Sequence, residues 1–488
     1  MKTKEVDTTI QQKEESFSHI GRKSFFVIVI LLLSLITVTA VLTYFIPQGW
    51  YQRDEQGMII NGTYEKGGID GIALWRVVTA PFRVFASSDS LTIIMISVFL
   101  LIMSGVVNLL EKTQGLRIII GRTVRKFANK NVRKKRLVIC IVTLIFMAFG
   151  SFFGLFEELV SLLPLVIVFM LSMGFDTMTG LGVCMMAACF GFSAAITNPF
   201  SVGIVSGLAG VPVLEGAWLR GLFFLFIYAA VCMFLLIHIH KIEKNPEKSL
   251  TYEIDQKKRA SLDFSISEES PAEQKIFKVY AIFFAVQLFI LVAIATIRSI
   301  SGYAIPILAA SFLFGSMIAG SFVCERKRDM FRHLYKGAVA MLPAVVMIAL
   351  ATSVKLIMEE SQILDTIMYN VINVLMGKNK FLCVVLIYFL ILFLQIFIGS
   401  SSAKIMLIMP IILPIATTLG ISPSVIILTY CIADGFTDVI MPTNPVLLIG
   451  LSMANVSYGK WVKWTWKAQL CIFVATIFIL MFAVQIGY

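Results

Sequence analysis

The chain has 488 residues, of which 58% are hydrophobic and only 14% charged, with a mean hydropathy of +0.89 and a net charge of +12. Soluble domains carry about 25% charged residues, and reach about 45–50% apolar residues only with glycine included. Soluble enzymes, disordered proteins and small disulfide scaffolds are excluded, and the chain reads as an all-α polytopic membrane protein.

The elements follow in chain order. Residues 1–23 form a cytoplasmic tail, and 24–46 are the first span, preceded by Arg22 and Lys23. That span is too long and too evenly apolar for a signal peptide, so it reads as an anchor that stays. Flanking charge puts the N-terminus in the cytoplasm. Residues 47–89 then lie outside, with 75–85 resting on the membrane interface, and 90–110 bring the chain back. The next segment, 111–136, holds ten Lys/Arg against Glu111 alone. Between two apolar runs this is a cytoplasmic loop obeying the positive-inside rule, not a nucleic-acid site, because no aromatic platform accompanies it.

An irregular stretch follows. Residues 137–149 are too few to span at about 20 residues per crossing. They meet the Gly/Ser/Glu-containing segment 150–158, and 159–173 form a second short arm. Two half-length arms around such a tip predict a re-entrant hairpin, about 137–173. Residues 177–208 cross as a helix broken at Thr197-Asn198-Pro199, since proline lacks the backbone donor a helix needs. Residues 218–240 return, and 241–278 hold eight Lys/Arg and eight acids, a solvated linker. Then 276–297 go out and 303–323 come back to a second basic cluster, Arg326 to Lys336, on the side that the span count requires.

The second half repeats these oddities. Thr443-Asn444-Pro445 lies 246 residues after the first such tripeptide, and Gly174/Gly420 and Trp218/Trp464 share that offset. Gly150-Ser151 returns as Gly399-Ser400 at offset 249. The predicted second hairpin is about 384–418 and the second broken helix about 424–453, and the C-terminus ends outside. Residues 90–110 run inward where 337–358 run outward, so the halves are inverted. The domains are then a first repeat (24–240), a cytoplasmic linker (241–275), a connecting helix (276–297) and a second repeat (298–488). Paired, inverted, interrupted helices at midplane depth are a signature of secondary transporters. A channel would show no evident pore symmetry, and a metabolite sensor would need an output domain that no soluble segment provides. A membrane enzyme would want a metal cluster or a triad. The eight cysteines lie in or beside apolar runs with no CxxC, and His238/His240 have poor zinc spacing.

The segments 150–158, 197–203, Gly399 to Ser402 and Asp434 to Asp438 resemble the YfcC-type carriers of the C4-dicarboxylate anaerobic carrier (DcuC-like) family. That family lies in the ion transporter superfamily, which also holds arginine/ornithine exchangers. The resemblance runs along essentially the whole chain and implies an elevator mechanism with scaffold and transport domains. It leaves dicarboxylates and amino acids both open. Lys404 stands where a small or polar residue is expected, and Thr443-Asn444-Pro445 where many members have a Pro-Thr-Ser-Gly-like run.

Candidate substrate contacts are Ser151, Thr197, Asn198, Ser400, Ser401, Ser402, Thr443 and Asn444, beside half-helices that begin near the midplane. Pro199 and Pro445 make the breaks. Helix N-termini there offer unpaired N–H groups to a carboxylate. Freed carbonyls near Asn198 and Asn444 could hold Na⁺, although capping alone also explains these side chains. Asn198 and Asn444 are expected to approach each other across the pseudo-two-fold. Glu157, Glu158, Lys404, Asp434 and Asp438 lie in apolar stretches, where a charge marks function by default. Lys404 reads equally as a substrate contact or as the partner of an acid. Four acids against one base tilt the substrate toward a basic amino acid such as arginine or ornithine, with succinate or fumarate as the alternative. No cofactor and no firm metal site are expected, and Na⁺ or H⁺ is the candidate coupling ion. The expected setting is a homodimer in the bacterial inner membrane.

Overall fold

The structure is a computed structural model that describes residues 22–53, 60, 62–87, 90–115, 118, 122, 132–261, 270–296, 304–375 and 377–488. The N-terminal tail, much of the basic segment and residues 262–269 of the linker lie outside these. Among the described residues, nine helices are long and apolar enough to cross a membrane.

One bundle holds α1 (Arg22–Leu42), α3 (Ser90–Lys112), α11 (Pro271–Thr296), α12 (Ala304–Val323), α13 (Lys327–Ala340) and α14 (Leu342–Glu360). Helix α3 lies against α13 at glycine distance: a Cβ on Gly337 would sit 2.4 Å from the Ser104 carbonyl oxygen. Ser104 Oγ donates to the Gly337 carbonyl (2.8 Å), and Asn108 Nδ2 to that of His333 (2.7 Å). Between α1 and α3 run a two-residue antiparallel pair, β1 (Gly49–Trp50) and β2 (Glu65–Lys66), and the short helix α2 (Leu74–Arg83). Leu74, Trp75, Val78 and Phe82 are exposed along α2, in the stretch expected at the interface.

The second bundle holds the hairpins and the broken helices. In the first hairpin, α4 (Val132–Ala148) runs through a π turn (Phe149–Phe153) to the tip, and a 3-10 turn (Glu158–Leu162) and α5 (Leu163–Ser172) return. The first broken helix comprises α6 (Thr177–Leu181), a π turn (Gly182–Met186) and α7 (Ala187–Ala194). Beyond the break come a π turn (Pro199–Gly203) and α8 (Ile204–Ala209). The second hairpin is α16 (Lys380–Gln395) and α17 (Ser401–Thr418). The second broken helix is α18 (Pro423–Asp438) and α19 (Pro445–Met453). Helices α9 (Ala217–Lys244) and α20 (Tyr458–Gln485) close the two repeats. Gly174 and Gly420, matched in the repeat, both take positive φ (93° and 66°) where each returning hairpin arm stops. Helices α7 and α18 cross at Gly435, where a Cβ would lie 2.2 Å from the Ser193 nitrogen.

Two elements depart from the sequence reading. Helix α15 (Ile363–Leu375) fills the stretch before the second hairpin, and its Asp365 accepts from the Tyr51 N–H (3.1 Å) and pairs with Arg53 (3.2 Å). The linker is no solvated coil over its described part: residues Tyr252–Ser261 form α10, docked under the first broken helix. Asp255 accepts from Thr177 N (3.1 Å), Thr251 Oγ1 (2.7 Å) and Thr177 Oγ1, while Lys258 Nζ donates to the Ala454 carbonyl (3.0 Å). Beside it, Asp176 caps α6 and accepts from His238 Nε2 (2.9 Å) and Ser249 Oγ (2.6 Å). His238 Nδ1 in turn receives the Trp464 indole N–H (3.1 Å). Burial pushes the Asp176 carboxyl up, but His238, Ser249 and Thr179 outweigh it and hold the group below its ordinary value. Burial leaves Asp255 raised above its own, against hydrogen bonds from Thr177 and Thr251.

Asp255→Ala removes the acceptor of three donors, each worth about 0.5–1.5 kcal/mol and more to a charged partner. The expected outcome is an undocked linker, cut by trypsin near Lys257–Arg259 at least tenfold faster than wild type. Equal cleavage rates would mean that α10 is held by other contacts.

Candidate substrate site

The hairpin tips sit against the helix breaks of their own repeats. Ser151 Oγ accepts from Ile196 N (3.1 Å), and Thr197 Oγ1 donates to the Phe152 carbonyl (2.9 Å). In the second repeat Thr443 Oγ1 donates to the Gln395 carbonyl (2.9 Å). Both asparagines act first as helix caps. Asn198 Oδ1 accepts from Phe200 N (2.9 Å), and Asn444 Oδ1 from Val446 N (3.0 Å) and Leu447 N (3.4 Å). The local reason is the Asn-Pro pair: asparagine is a preferred N-cap and proline a preferred first helical residue. Buried Arg220 secures the first break, donating to the Ile196 carbonyl (3.2 Å) and the Val213 carbonyl (2.5 Å).

Between the two bundles lies a cavity of about 370 Å³. Small-molecule sites fall within about 300–1,000 Å³. From the second repeat it is lined by Ser400, Ser401, Ser402, Asp438, Thr443 and Asn444, with Pro445. The first hairpin contributes Gly154 and Glu157. The opposing wall comes from α3, α12 and α14, including Thr352 and Lys355. Ser400 caps α17, whose N-terminus opens on this space. Asp438 Oδ1 accepts from Gln395 Nε2 (2.9 Å) and Asn444 Nδ2 (3.0 Å), which fixes the carboxylate at the cavity edge.

The remaining predicted residues are not in the lining. Ser151, Thr197, Asn198 and Pro199 stand behind it at the first break, with the Asn198 amide packed on Gly154, where a Cβ would meet Oδ1 at 2.3 Å. Asn198 Nδ2 is buried and has no hydrogen-bond partner among the described residues. Lys404 and Asp434 are fully buried and bonded to each other inside the second bundle. The side chain of Glu158 lies outside the described residues.

Two lining or supporting residues were not expected. Gln395, wholly buried, ends an apolar arm and ties the tip to Asp438. Lys355 sits inside an apolar helix and is 7% exposed, with Glu359 at 3.3 Å one turn on. A mid-span lysine costs at least about 2.5–3.5 kcal/mol, and an i,i+4 pair returns about 0.3–0.5 kcal/mol. The same test that singled out Lys404 would have found it.

Two helical bundles that enclose a polar cavity, each hairpin tip set against a broken helix, define a membrane transporter. The family DcuC, described as C4-dicarboxylate anaerobic carrier, matches residues 25–485, and the chain belongs to it. An uncharacterized Haemophilus influenzae protein is 26% identical over 398 residues, 80% of this chain and 75% of its own. The putative basic amino acid antiporter YfcC of Escherichia coli is 24% identical over 428 residues, 84% of this chain and 81% of its own. Among solved structures, the Alcanivorax borkumensis YdaH transporter aligns with a TM-score of 0.44 at 17% identity, over 95% of this chain and 99% of its own. Neisseria gonorrhoeae MtrF, described within a class of antimetabolite efflux pumps, aligns at 0.39 and 17%, over 95% of each chain.

Proposed function

We propose that the chain is a secondary active transporter that exchanges or symports a basic amino acid, such as arginine or ornithine, by an elevator mechanism. In this reading the first bundle is the fixed scaffold and the second is the moving transport domain. The observation that carries it is the charge of the moving wall: Glu157 and Asp438 line the cavity, while Lys404 is bonded to Asp434 and absent from the lining. A second substrate carboxylate would want a moving cation there, and a guanidinium or ammonium wants an acid. The N-terminus of α17 at Ser400–Ser402 suits the α-carboxylate that every amino acid carries. The printed description of the E. coli relative agrees with this substrate class.

The basic clusters at 111–136 and 326–336 then face the cytoplasm of a bacterium, with the N-terminus inside and the C-terminus outside. The carrier is a homodimer coupled to its counter-substrate or to Na⁺ or H⁺, with Asn198 and Asn444 as the paired caps of the two breaks. The second reading is a C4-dicarboxylate carrier, favoured by Lys355 on the fixed wall and by the family's description. Counterflow in proteoliposomes separates the two. Vesicles loaded with unlabelled arginine or ornithine are expected to accumulate labelled arginine, and vesicles loaded with succinate or fumarate are not. Accumulation of labelled succinate that arginine does not compete would establish the dicarboxylate reading.

A further inference from the structure

A helix break in a carrier frees main-chain carbonyls, and such carbonyls are ligands for a coupling Na⁺. Here the protein engages them with donors of its own. In an unbroken helix the Ile196 carbonyl would accept from the Phe200 N–H, but that N–H goes to Asn198 Oδ1 (2.9 Å). Arg220 of α9 takes the carbonyl instead. Its Nη2 donates to the carbonyls of Ile196 (3.2 Å) and Val213 (2.5 Å), and its Nη1 to that of Glu215 (3.1 Å). Three oxygens thus converge on a guanidinium that is 0% exposed. Arg220 makes no ion pair among the described residues. Glu215, the acid of this turn, is exposed, and its carboxylate accepts from Ser424 Oγ (3.4 Å). Cys431 and Tyr488, which ordinarily carry no charge, also stand beside the guanidinium. An arginine keeps its charge when buried, so the three carbonyl dipoles are what compensate it.

The second break is held differently. Asn444 Nδ2 donates to the Asp438 carbonyl (3.4 Å), the Trp461 indole N–H to that of Val439 (2.7 Å), and the Tyr458 hydroxyl to that of Ile440. These donors are neutral, and the buried cation of that repeat, Lys404, is balanced by Asp434. At the 246-residue offset Arg220 corresponds to Trp466, which is exposed, as are Lys463 and Lys467 beside it. A charge at the break is therefore a property of the first repeat and no requirement of the fold.

We propose that Arg220 is a built-in cation at the first break, in the place a coupling Na⁺ would take, and that the carrier moves its substrate without Na⁺. This rests on the transporter reading above and narrows its coupling to the counter-substrate or H⁺. The residues do not fit Na⁺. The ion would find these carbonyls already engaged, and at the first break it would settle beside a fixed positive charge that the interior screens poorly. A tethered guanidinium is not released on either side, so it holds Ile196, next to Thr197 and Asn198, throughout the cycle. Arg220 is thus a positioning residue, acting on the substrate site through the main chain of the break.

The test is the Na⁺ dependence of exchange. Wild type, Arg220→Gln and Arg220→Lys are reconstituted, and labelled arginine exchange is followed in sodium and in choline media, with folding checked by size exclusion. The wild-type rate is expected to be the same in both. Arg220→Gln loses about tenfold or more of its rate in choline, the loss of charge-assisted bonds, and Na⁺ restores it. A strut that acted by hydrogen bonding alone would not respond to Na⁺. Arg220→Lys, which retains a cation, recovers exchange in choline. A wild-type rate that falls tenfold in choline would overturn the proposal, and so would a folded Arg220→Gln whose rate Na⁺ does not raise. If Arg220→Gln aggregates, Arg220→Lys decides: exchange in choline supports the proposal and a requirement for Na⁺ overturns it. A wild type that exchanges succinate and not arginine ends the basic amino acid reading by itself, and the same comparison with labelled succinate then decides the role of Arg220.

Discussion

Lys404→Met will leave a carrier that barely survives extraction, while Lys404→Met with Asp434→Asn will recover most of the loss. Lys404 and Asp434 have side chains 0% and 1% exposed and bond to each other across α17 and α18. Asp434 Oδ2 has no hydrogen-bond partner among the described residues, so the carboxylate depends on the lysine for its compensation. Removing one member of a buried pair strands a charge and costs about 3–5 kcal/mol, whereas neutralising both is often nearly neutral. That cost is a large fraction of the total stability of about 5–15 kcal/mol that proteins possess. The measurement is the midpoint of aggregation on heating in detergent, read by size exclusion. A single variant as stable as wild type would show that the pair is no structural element and would return Lys404 to the substrate candidates. A stable double variant that still carries arginine would assign the pair to the fold.

How far the sequence foretold this arrangement depends on the range of the interactions. The breaks at Thr197-Asn198-Pro199 and Thr443-Asn444-Pro445 were legible because proline and an asparagine cap act within two residues, and each cap is seen. The first hairpin was legible from its Gly/Ser/Glu tip and the second from the repeat, although Lys134–Phe153 and Ser401–Thr418 are each long enough to cross. Their limits were less so: α4 begins at Val132, not at 137, because a helix can carry Lys134–Arg136 at the membrane surface at little cost. The linker looked solvated because its composition balances eight acids and eight bases, and composition does not reveal that Asp255 finds Thr177, 78 residues away. Likewise nothing local says that Lys404 meets Asp434, 30 residues on, so the pair and the substrate role could not be separated. Lys355 was a different failure. It stands out as a charge in an apolar run, but it lies at neither a hairpin tip nor a helix break, so no local pattern ties it to the cavity.

Asp438→Asn is expected to fold normally and to lose arginine. Both amides that hold Asp438, from Gln395 and Asn444, reach the same oxygen, Oδ1, and an asparagine carbonyl with two lone pairs can accept both. The substitution therefore removes the charge and keeps the scaffold of hydrogen bonds around it. A hydrogen bond to a charged group is worth about 1.5–3 kcal/mol, and 1.4 kcal/mol is tenfold in affinity, so arginine should bind about 10- to 100-fold more weakly. The sign of the effect carries the information. A cationic ligand loses its partner when Asp438 is neutralised, whereas a dianion loses a repulsion and should bind more tightly. Binding of labelled arginine and labelled succinate to purified wild type and variant, with Asp438→Glu as the charge-retaining control, gives both signs in one experiment. Weaker arginine binding with the control near wild type places the substrate cation at Asp438. Tighter succinate binding, with arginine indifferent to the change, would mean that the acidic wall repels the substrate, and the moving domain would then have to neutralise Glu157 and Asp438 before it could carry a dicarboxylate.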